Sequence, residues 1–207
     1  ADCHALPSPH PRLPLVEHFF FPGFDGRTGG VLREADYAVR RAAFSEEGFR
    51  ASVGLPARTP GELCVSLFSY ENAGLADLLD CWSRAEHPVT CLVPEGRVLA
   101  SLGKAFGVGH LEAGERLRRG ALSVQVLPFV EQRRYDALLW ACDLNFVRGE
   151  DSFVRAQWAE RPFVWHIYPQ DEDAHLVKLD AFLERFGAGL DAGSGSALAD
   201  FWHAWNR

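Results

Sequence analysis

From Cys64 onward, two kinds of hydrophobic pattern alternate along the chain. Short apolar runs rich in β-branched and aromatic residues are typical of buried strands, and apolar residues three and four positions apart are typical of helices. The predicted strands are 64–70, 89–93, 122–129, 144–147 and 163–168, and the helices that follow them are 74–84, 98–106, 132–142, 152–160 and 175–186. Five such units predict an α/β fold with a Rossmann-like parallel sheet and helices on both faces, because parallel neighbours need crossover helices.

The N-terminal stretch does not follow this pattern. Residues 1–30 hold five of the twelve prolines and the aromatic run 19–24, which predicts an interdomain linker or edge segment. Helical spacing recurs over 36–49, and 54–61 is predicted to be a proline-containing loop. Residues 31–190 are therefore predicted to form the main, ligand-binding domain.

The C-terminal residues 191–207 are predicted to be a separate docking segment. A Gly/Ser-rich loop is expected over 187–196, followed by a helix over 197–205. Phe201, Trp202 and Trp205 suggest that this helix docks back on an apolar surface of the protein.

Composition narrows the class of partner. The chain of 207 residues is 47% hydrophobic, which is ample for a buried core, and its net charge is −7. A net negative charge argues against general binding to nucleic acids or to membrane surfaces, so neither a nucleic acid nor a membrane is expected as a partner. The basic cluster Arg116–Arg119 is predicted to be a solvated turn.

The cysteines, and the signals that the sequence does not contain, suggest a cytoplasmic protein. Five widely spaced cysteines, mostly within apolar stretches, are expected to be reduced core thiols. There is no Cys-x-x-Cys pair or His-Glu-x-x-His motif, so no metal site is predicted. The sequence has neither an apolar run of 18 residues nor a signal peptide pattern, and it begins at Ala1 without any methionine, which suggests a processed end or an internal cut.

The run from Leu144 to Trp158 is the strongest candidate for a binding site. A strand ends at Arg148, and a helix begins almost at once. A helix N-terminus offers unpaired N–H groups and a positive dipole, and a guanidinium adds a bidentate partner for phosphate. The alternative is an ordinary capped helix, with Asp151 or Ser152 as N-cap and Arg148 paired with a carboxylate.

Aromatic rings and polar groups follow the other predicted strands, where ligands bind to parallel sheets. A ring beside a glutamine suits a nucleobase, although each ring alone could be simple packing. The chain contains no glycine-rich dinucleotide or P-loop fingerprint, so a nucleotide-sugar donor site is favoured. Glu150 and Asp151 should face away from phosphate, and they could bind sugar hydroxyls or stabilise an oxocarbenium-like sugar. His166, within an apolar strand, is expected to be a satisfied buried histidine.

Four segments together resemble one known family. They are LPSPHPRLPLVEHFFFPGFDGRTGGVLRE, SLFSYEN, LPFVEQRRYDALLWACDLNFVRGEDSFVRAQWA and RPFVWHIYPQDEDAH. They are similar to the bacterial elongation factor P arginine rhamnosyltransferases over nearly the whole chain. The resemblance implies a GT-B fold and inverting, metal-independent transfer of rhamnose from dTDP-β-L-rhamnose to an arginine of elongation factor P, without a cofactor.

The resemblance also implies a role for each matching residue. Those expected to line the nucleotide pocket are Phe68 and Phe129, with Tyr135 beside the thymine and Gln132 on its edge. Those expected to hold the diphosphate are Arg148, Ser152 and Tyr168, and Asp151 would lie near the donor. Glu150 is expected to be catalytic at the sugar.

The chain departs from the family in one respect, the N-terminal domain. The resemblance implies an N-terminal domain that binds the acceptor and supplies an aspartate as general base, and this chain is expected to begin after that domain. It would then be the donor-binding, C-terminal half of the GT-B fold, able to bind the donor but not to transfer sugar efficiently. The alternatives left open are a non-catalytic nucleotide-binding module and a GT-B glycosyltransferase with a different donor.

Overall fold

The computed structural model describes residues 7–18, 23–26 and 28–207, which form two compact units divided between Ala42 and Ala43. In the first unit, β1 (Ser8–Pro9) pairs antiparallel with β2 (Val16–Glu17), and α1 spans Tyr37–Ala42. Most of the aromatic run predicted at 19–24 lies outside the described residues.

The second unit, Ala43–Arg207, is built on one six-stranded sheet. Its strands are β3 (Leu63–Leu67), β4 (Val89–Pro94), β5 (Arg116–Arg119), β6 (Leu122–Leu127), β7 (Leu144–Arg148) and β8 (Phe163–His166). Their order across the sheet is β5-β6-β4-β3-β7-β8, and every neighbouring pair is parallel except β5 with β6. The predicted α/β fold with a mainly parallel sheet is therefore confirmed.

The helices flank this sheet. They are α2 (Glu46–Ser52), α3 (Leu75–Ser83), α4 (Val98–Phe106), α5 (Gln132–Ala141), α6 (Asp151–Ala159), α7 (Ala174–Phe186) and α8 (Ala192–Asn206), with a 3-10 turn at Asp171–Asp173. Four of them, α3 to α6, lie in the connections between the strands of the sheet. The helices α3 to α7 match their predicted positions to within about two residues, as expected for helix ends.

The core lies along the strands, which read as apolar runs because both faces of the sheet are covered. All six residues of β4 are buried, and Val65, Leu67 and Phe146 are fully buried on β3 and β7. One polar pair also lies in this core: the Ser66 Oγ donates to Asn145 Oδ1 at 2.6 Å. This bond joins β3 to β7 directly.

The strand order creates a crevice between β3 and β7. The five parallel strands run 3-2-1-4-5 in chain order across the sheet, so the direction of winding reverses between the first of them, β3, and the fourth, β7. Crossover helices leave opposite faces of the sheet at such a point, and ligands of doubly wound folds bind outside the carboxyl ends of the strands there.

Three predicted boundaries are wrong. Arg116–Arg119 is the edge strand β5 and not a solvated turn, because its backbone pairs antiparallel with β6. The side chains of Arg116 and Arg119 also donate to the carbonyls of Gly54 and Ala105, each at 2.5 Å. The single helix predicted over 36–49 is divided, since the Ser45 Oγ accepts from Gly48 N and starts α2.

The third correction concerns the C-terminal helix. It begins at Ala192, inside the predicted loop, because the Asp191 carboxylate accepts from the amides of Gly193 and Ser194, both at 3.0 Å. Its docking on the fold is as predicted for Trp202 and Trp205, which are buried, whereas Phe201 remains 39% exposed.

The cysteines follow the prediction with one exception. Cys64, Cys91 and Cys142 are free and buried, and burial raises the pKa of Cys91 and of Cys142 above the ordinary thiol value. Cys81 is free but exposed, since it lies on the outer side of α3. Cys3 lies outside the described residues.

Candidate functional site

A cleft of about 470 Å³ opens at the carboxyl ends of the central strands. Eight of the nine predicted site residues line it, and they come from three separate chain segments: Phe68, Phe129, Gln132, Tyr135, Arg148, Glu150, Asp151 and Ser152. The ninth, Tyr168, is not a lining residue, but its ring meets that of Tyr70 at 5.6 Å. The fold thus brings the predicted residues together at the crevice between β3 and β7.

A glycine turn joins β7 to α6 at the centre of the cleft. Gly149 has φ +61°, a left-handed conformation that costs other residues energy, and a Cβ there would lie 3.4 Å from the Tyr70 hydroxyl. Its carbonyl accepts from Trp165 Nε1 at 2.8 Å, which fixes the turn to β8. The tight turn lets α6 begin next to the last residue of β7.

The N-terminus of α6 faces this cleft without a side-chain cap. Its N-cap is Glu150, whose side chain makes no capping bond, so neither Asp151 nor Ser152 serves as the N-cap. The Ser152 Oγ instead contacts both the amide and the carbonyl of Arg148. The first N–H groups of a helix have no partner within it, so they remain available to an anion here.

Arg148 provides a positive charge beside that helix end. Its guanidinium lies over the rings of Phe68 and Tyr70, with Cζ at 4.3 and 5.0 Å from the ring centroids. Among the described residues no carboxylate pairs with it, and its shielded Nη1 has no hydrogen-bond partner. Burial lowers the pKa of Arg148, yet an arginine stays charged at neutral pH. An unpaired, oriented guanidinium can take a phosphate as a bidentate partner.

Aromatic rings form the apolar part of the cleft. Phe68 meets Tyr135 edge to face at 5.6 Å, and Tyr135 is buried beneath it, with a hydroxyl that has no partner among the described residues. Phe129 is 81% exposed, and its amide donates to Glu95 Oε2 at 2.9 Å. Phe68 and Phe129 therefore offer ring surface to a ligand, while Tyr135 supports Phe68 from below.

The carboxylate of Asp151 is held at the side of the cleft. Its Oδ1 accepts from Gln132 Nε2 at 3.0 Å, and its Oδ2 lies 3.3 Å from Arg155 Nε. These two contacts set the orientation of the Asp151 carboxylate. Gln132, predicted to meet the edge of a nucleobase, donates this hydrogen bond to Asp151.

Two neighbouring residues of the site escaped the sequence prediction. Tyr70 lines the cleft between Arg148 and Tyr168, and Glu95 anchors the Phe129 loop. Tyr70 is the last residue of the predicted strand 64–70 and Glu95 follows the predicted strand 89–93, so their position at a strand end was the available signal. The contacts that give them a role join distant segments and are not visible in the sequence.

His166, at the end of β8, is buried as expected but not satisfied. Its Nδ1 has no partner among the described residues, and its ring lies 5.3 Å from Tyr70 and 5.8 Å from Trp205. Burial, reinforced by the charge of Arg148, lowers its pKa to about 4. It is therefore a neutral imidazole at physiological pH.

The described residues contain neither a candidate metal centre nor a candidate membrane-spanning helix. No group of three or more histidine, cysteine, aspartate or glutamate side chains is arranged to hold a metal ion in the part of the chain that the structure describes. Over the same residues, none of the helices combines the length and apolar character needed to cross a bilayer.

The fold and the cleft together define a class of protein. A doubly wound sheet with a charged, aromatic crevice at its switch point is the architecture of nucleotide-binding α/β domains. The profile of one family, described as "Elongation-Factor P (EF-P) rhamnosyltransferase EarP", matches residues 1–207. The chain belongs to this family.

Individual relatives agree with this assignment. The chain is similar to the protein-arginine rhamnosyltransferases of Pseudomonas putida, at 51% identity, and of Pseudomonas aeruginosa, at 52%; each match covers 99% of the chain and 55% of the relative. It is also similar to a solved structure described as "Structural basis for EarP-mediated arginine glycosylation of translation elongation factor EF-P", with a TM-score of 0.81 and 47% identity over 91% of this chain and 60% of that one. The chain thus spans about half the length of the curated relatives it matches.

Proposed function

We propose that this chain is the donor-binding half of a protein-arginine rhamnosyltransferase with a GT-B fold. It binds dTDP-β-L-rhamnose, and rhamnose passes with inversion, without a metal or a cofactor, to an arginine of elongation factor P. The observation that carries the proposal is the unpaired Arg148 beside the uncapped N-terminus of α6, at the switch point of the sheet. Family membership and the names of the relatives support the reaction and the acceptor.

Each part of the donor has a matching surface in the cleft. The thymine stacks against the rings of Phe68 and Phe129, with Gln132 at its edge. The diphosphate lies between Arg148, Ser152 and the α6 N-terminus, where positive charge stabilises the departing dTDP. Tyr168 closes this side through its contact with Tyr70.

Glu150 acts at the sugar. It lines the cleft next to the helix end that receives the phosphates, which is where the bond between sugar and diphosphate would break. A carboxylate there stabilises the positive charge that develops on the transferring sugar. The resemblance to the family suggests that the general base on the acceptor arginine is an aspartate of a further, acceptor-binding domain, and the curated relatives are about twice as long as this chain.

Donor binding is tested directly on this chain by calorimetric titration with dTDP and dTDP-rhamnose. Arg148→Ala should weaken dTDP binding by about 10- to 100-fold, since a charge-assisted hydrogen bond is lost. Arg84→Ala is the matched control, because Arg84 pairs with Asp80 at the far end of α3. Equal affinity of the parent and Arg148→Ala for dTDP would overturn the proposal, and binding of a UDP-sugar as tight as dTDP-rhamnose would overturn the donor.

Transfer is tested in a chimera that joins this chain to the N-terminal domain of the Pseudomonas aeruginosa relative. Intact-mass measurement of elongation factor P should show rhamnosylation by the chimera and little by the chain alone. Glu150→Ala in the chimera should abolish transfer while donor binding persists. Undiminished transfer by Glu150→Ala would remove its catalytic role, and donor binding without any transfer by the chimera would favour a non-catalytic nucleotide-binding module.

A further inference from the structure

A chain of polar contacts leads from the protein interior to the edge of the cleft. Asp136, on α5, is fully buried, and its Oδ1 accepts from Arg155 Nη1 at 2.8 Å. The Nε of the same guanidinium lies 3.3 Å from Asp151 Oδ2, and Asp151 Oδ1 accepts from Gln132 at 3.0 Å. This series of contacts therefore ends on two residues that line the cleft, Asp151 and Gln132.

The position of Asp151 creates an electrostatic problem for a phosphate ligand. It is the first residue of α6, and its side chain is 70% exposed at the helix end that faces the cleft. A carboxylate is stabilised at a helix N-terminus, but it also repels a second anion that binds at the same terminus. Arg155, one turn later on the helix, carries the charge that offsets this repulsion.

Asp136 gives Arg155 a fixed orientation. The Arg155 side chain is only 8% exposed, so two charges are kept out of water, which costs desolvation energy. A well-packed apolar pair would serve stability as well or better. The ion pair does what an apolar pair cannot do: it holds the guanidinium with its Nε toward Asp151.

We propose that Arg155 and Asp136 are positioning residues of the donor site, which act on the diphosphate by holding and neutralising the Asp151 carboxylate. The inference rests on the proposed function, since it requires a phosphate ligand at α6. It adds two residues that do not touch the donor, and it explains how an aspartate can stand at an anion-binding helix end.

The test compares a ligand with phosphates, dTDP, and one without, thymidine. In the double variant Asp136→Leu with Arg155→Met both members of the buried pair are removed together, so neither is left buried without the other. The dTDP Kd should rise about fivefold or more, as expected for an uncompensated charge near the phosphates, while the thymidine Kd measured by NMR titration stays within about twofold. Asp80→Leu with Arg84→Met removes an exposed pair on α3 and is the matched control.

A rescue experiment separates charge from structure. If Arg155 acts by neutralising Asp151, the double variant should have no effect once Asp151 is uncharged. The triple variant, which combines Asp136→Leu, Arg155→Met and Asp151→Asn, should then bind dTDP as tightly as Asp151→Asn alone. Equal loss of dTDP and thymidine affinity, or no recovery with Asp151→Asn, would show a purely structural pair and overturn the inference. A parent chain that fails to bind dTDP would instead overturn the proposed function.

A conservative variant covers the case in which the double variant does not fold. Arg155→Lys keeps a cation, but a single ammonium cannot contact Asp136 and Asp151 together as the forked guanidinium does. We expect the dTDP Kd to rise about twofold or more, with thymidine unchanged. Unaltered dTDP affinity in folded Arg155→Lys would contradict the inference.

Discussion

At the scale of single residues, the cleft combines groups whose polar atoms are left without partners. Arg148 Nη1 and the Tyr135 hydroxyl are both shielded and unsatisfied among the described residues. Arg148 also lines the cleft and pairs with no carboxylate among the described residues, so its charge is available to a phosphate. For Tyr135 the hydroxyl lies beneath Phe68, and the nearby Ser152 Oγ is already engaged with the Arg148 backbone.

Tyr135→Phe is therefore expected to be neutral or slightly stabilising. Removal of a buried hydroxyl without a partner relieves a desolvation cost, and the ring contact with Phe68 is retained. The free energy of unfolding in urea should stay equal to the parent or rise by up to about 1 kcal/mol. Phe68→Leu, which removes the ring, should lower dTDP affinity in the same assay, whereas Tyr135→Phe should not. A loss of more than about 1 kcal/mol in Tyr135→Phe would reveal a hydrogen bond to this hydroxyl.

At the scale of elements, α8 supports the strand end that leads to Tyr168. Asn206, near its C-terminus, accepts from Ile167 N at 2.8 Å and donates to the carbonyls of Trp165 and Trp202, each at 2.8 Å. Asn72 in turn donates to the Trp205 carbonyl at 2.6 Å. The last helix is thus tied to the ends of β3 and β8 on the side of the cleft.

Asn206→Ala should destabilise the protein by about 2–4 kcal/mol, because it leaves buried backbone groups of Ile167 and Trp165 without partners. Urea unfolding measures this loss, and dTDP titration of the folded variant should show weaker binding as the Tyr168 segment loses its anchor. Asp200→Ala, on an exposed position of the same helix, is the control and should change the unfolding free energy by less than about 0.5 kcal/mol. Equal stability of both variants would show that Asn206 does not anchor β8.

The start of α8 gives a second prediction at this scale. Asp191→Ala removes the carboxylate that accepts from the Gly193 and Ser194 amides, and Gly193 and Gly195 make this helix end intrinsically weak. The melting temperature should fall by about 2–4 °C. Asp191→Asn, which keeps a capping oxygen, should restore most of the loss. An unchanged melting temperature in Asp191→Ala would show that the cap is dispensable.

Elements were predictable from the sequence where one local pattern determines them. The buried parallel strand β4 reads as an apolar run, and α4 has its predicted bounds. β5 was missed because an edge strand with three arginines in four residues resembles a polar loop. The carbonyls that accept hydrogen bonds from Arg116 and Arg119 belong to residues distant in sequence. In the site, Arg148 could be predicted because it stands at the end of an apolar strand. The Asp136–Arg155 pair could not, because it depends on the packing of α5 against α6.

At the scale of the whole molecule, β3, β8 and α8 meet around one neutral histidine. The His166 ring lies between Tyr70, which follows β3, and Trp205 of α8, so a charge there would be buried at the junction of three elements. Burial first, and then the Arg148 charge, lower its pKa to about 4. The unfolded chain binds a proton at this residue near pH 6.5, and the folded protein does so only near pH 4.

Stability should therefore fall with decreasing pH between about 6.5 and 4, because the unfolded state binds more protons over that window. The free energy of unfolding that is lost through His166 reaches about 3 kcal/mol at pH 4, and the loss vanishes above pH 7. Other groups titrate in the same range, so the parent is compared with His166→Phe, which keeps an aromatic ring beside Tyr70 and Trp205. Urea unfolding at pH 7, 6, 5 and 4 should show the variant gaining stability relative to the parent at each step down. If the stabilities of the parent and His166→Phe change with pH in parallel, the folded protein accepts a proton at His166 as readily as the unfolded chain does. The prediction of a neutral, buried His166 would then be wrong.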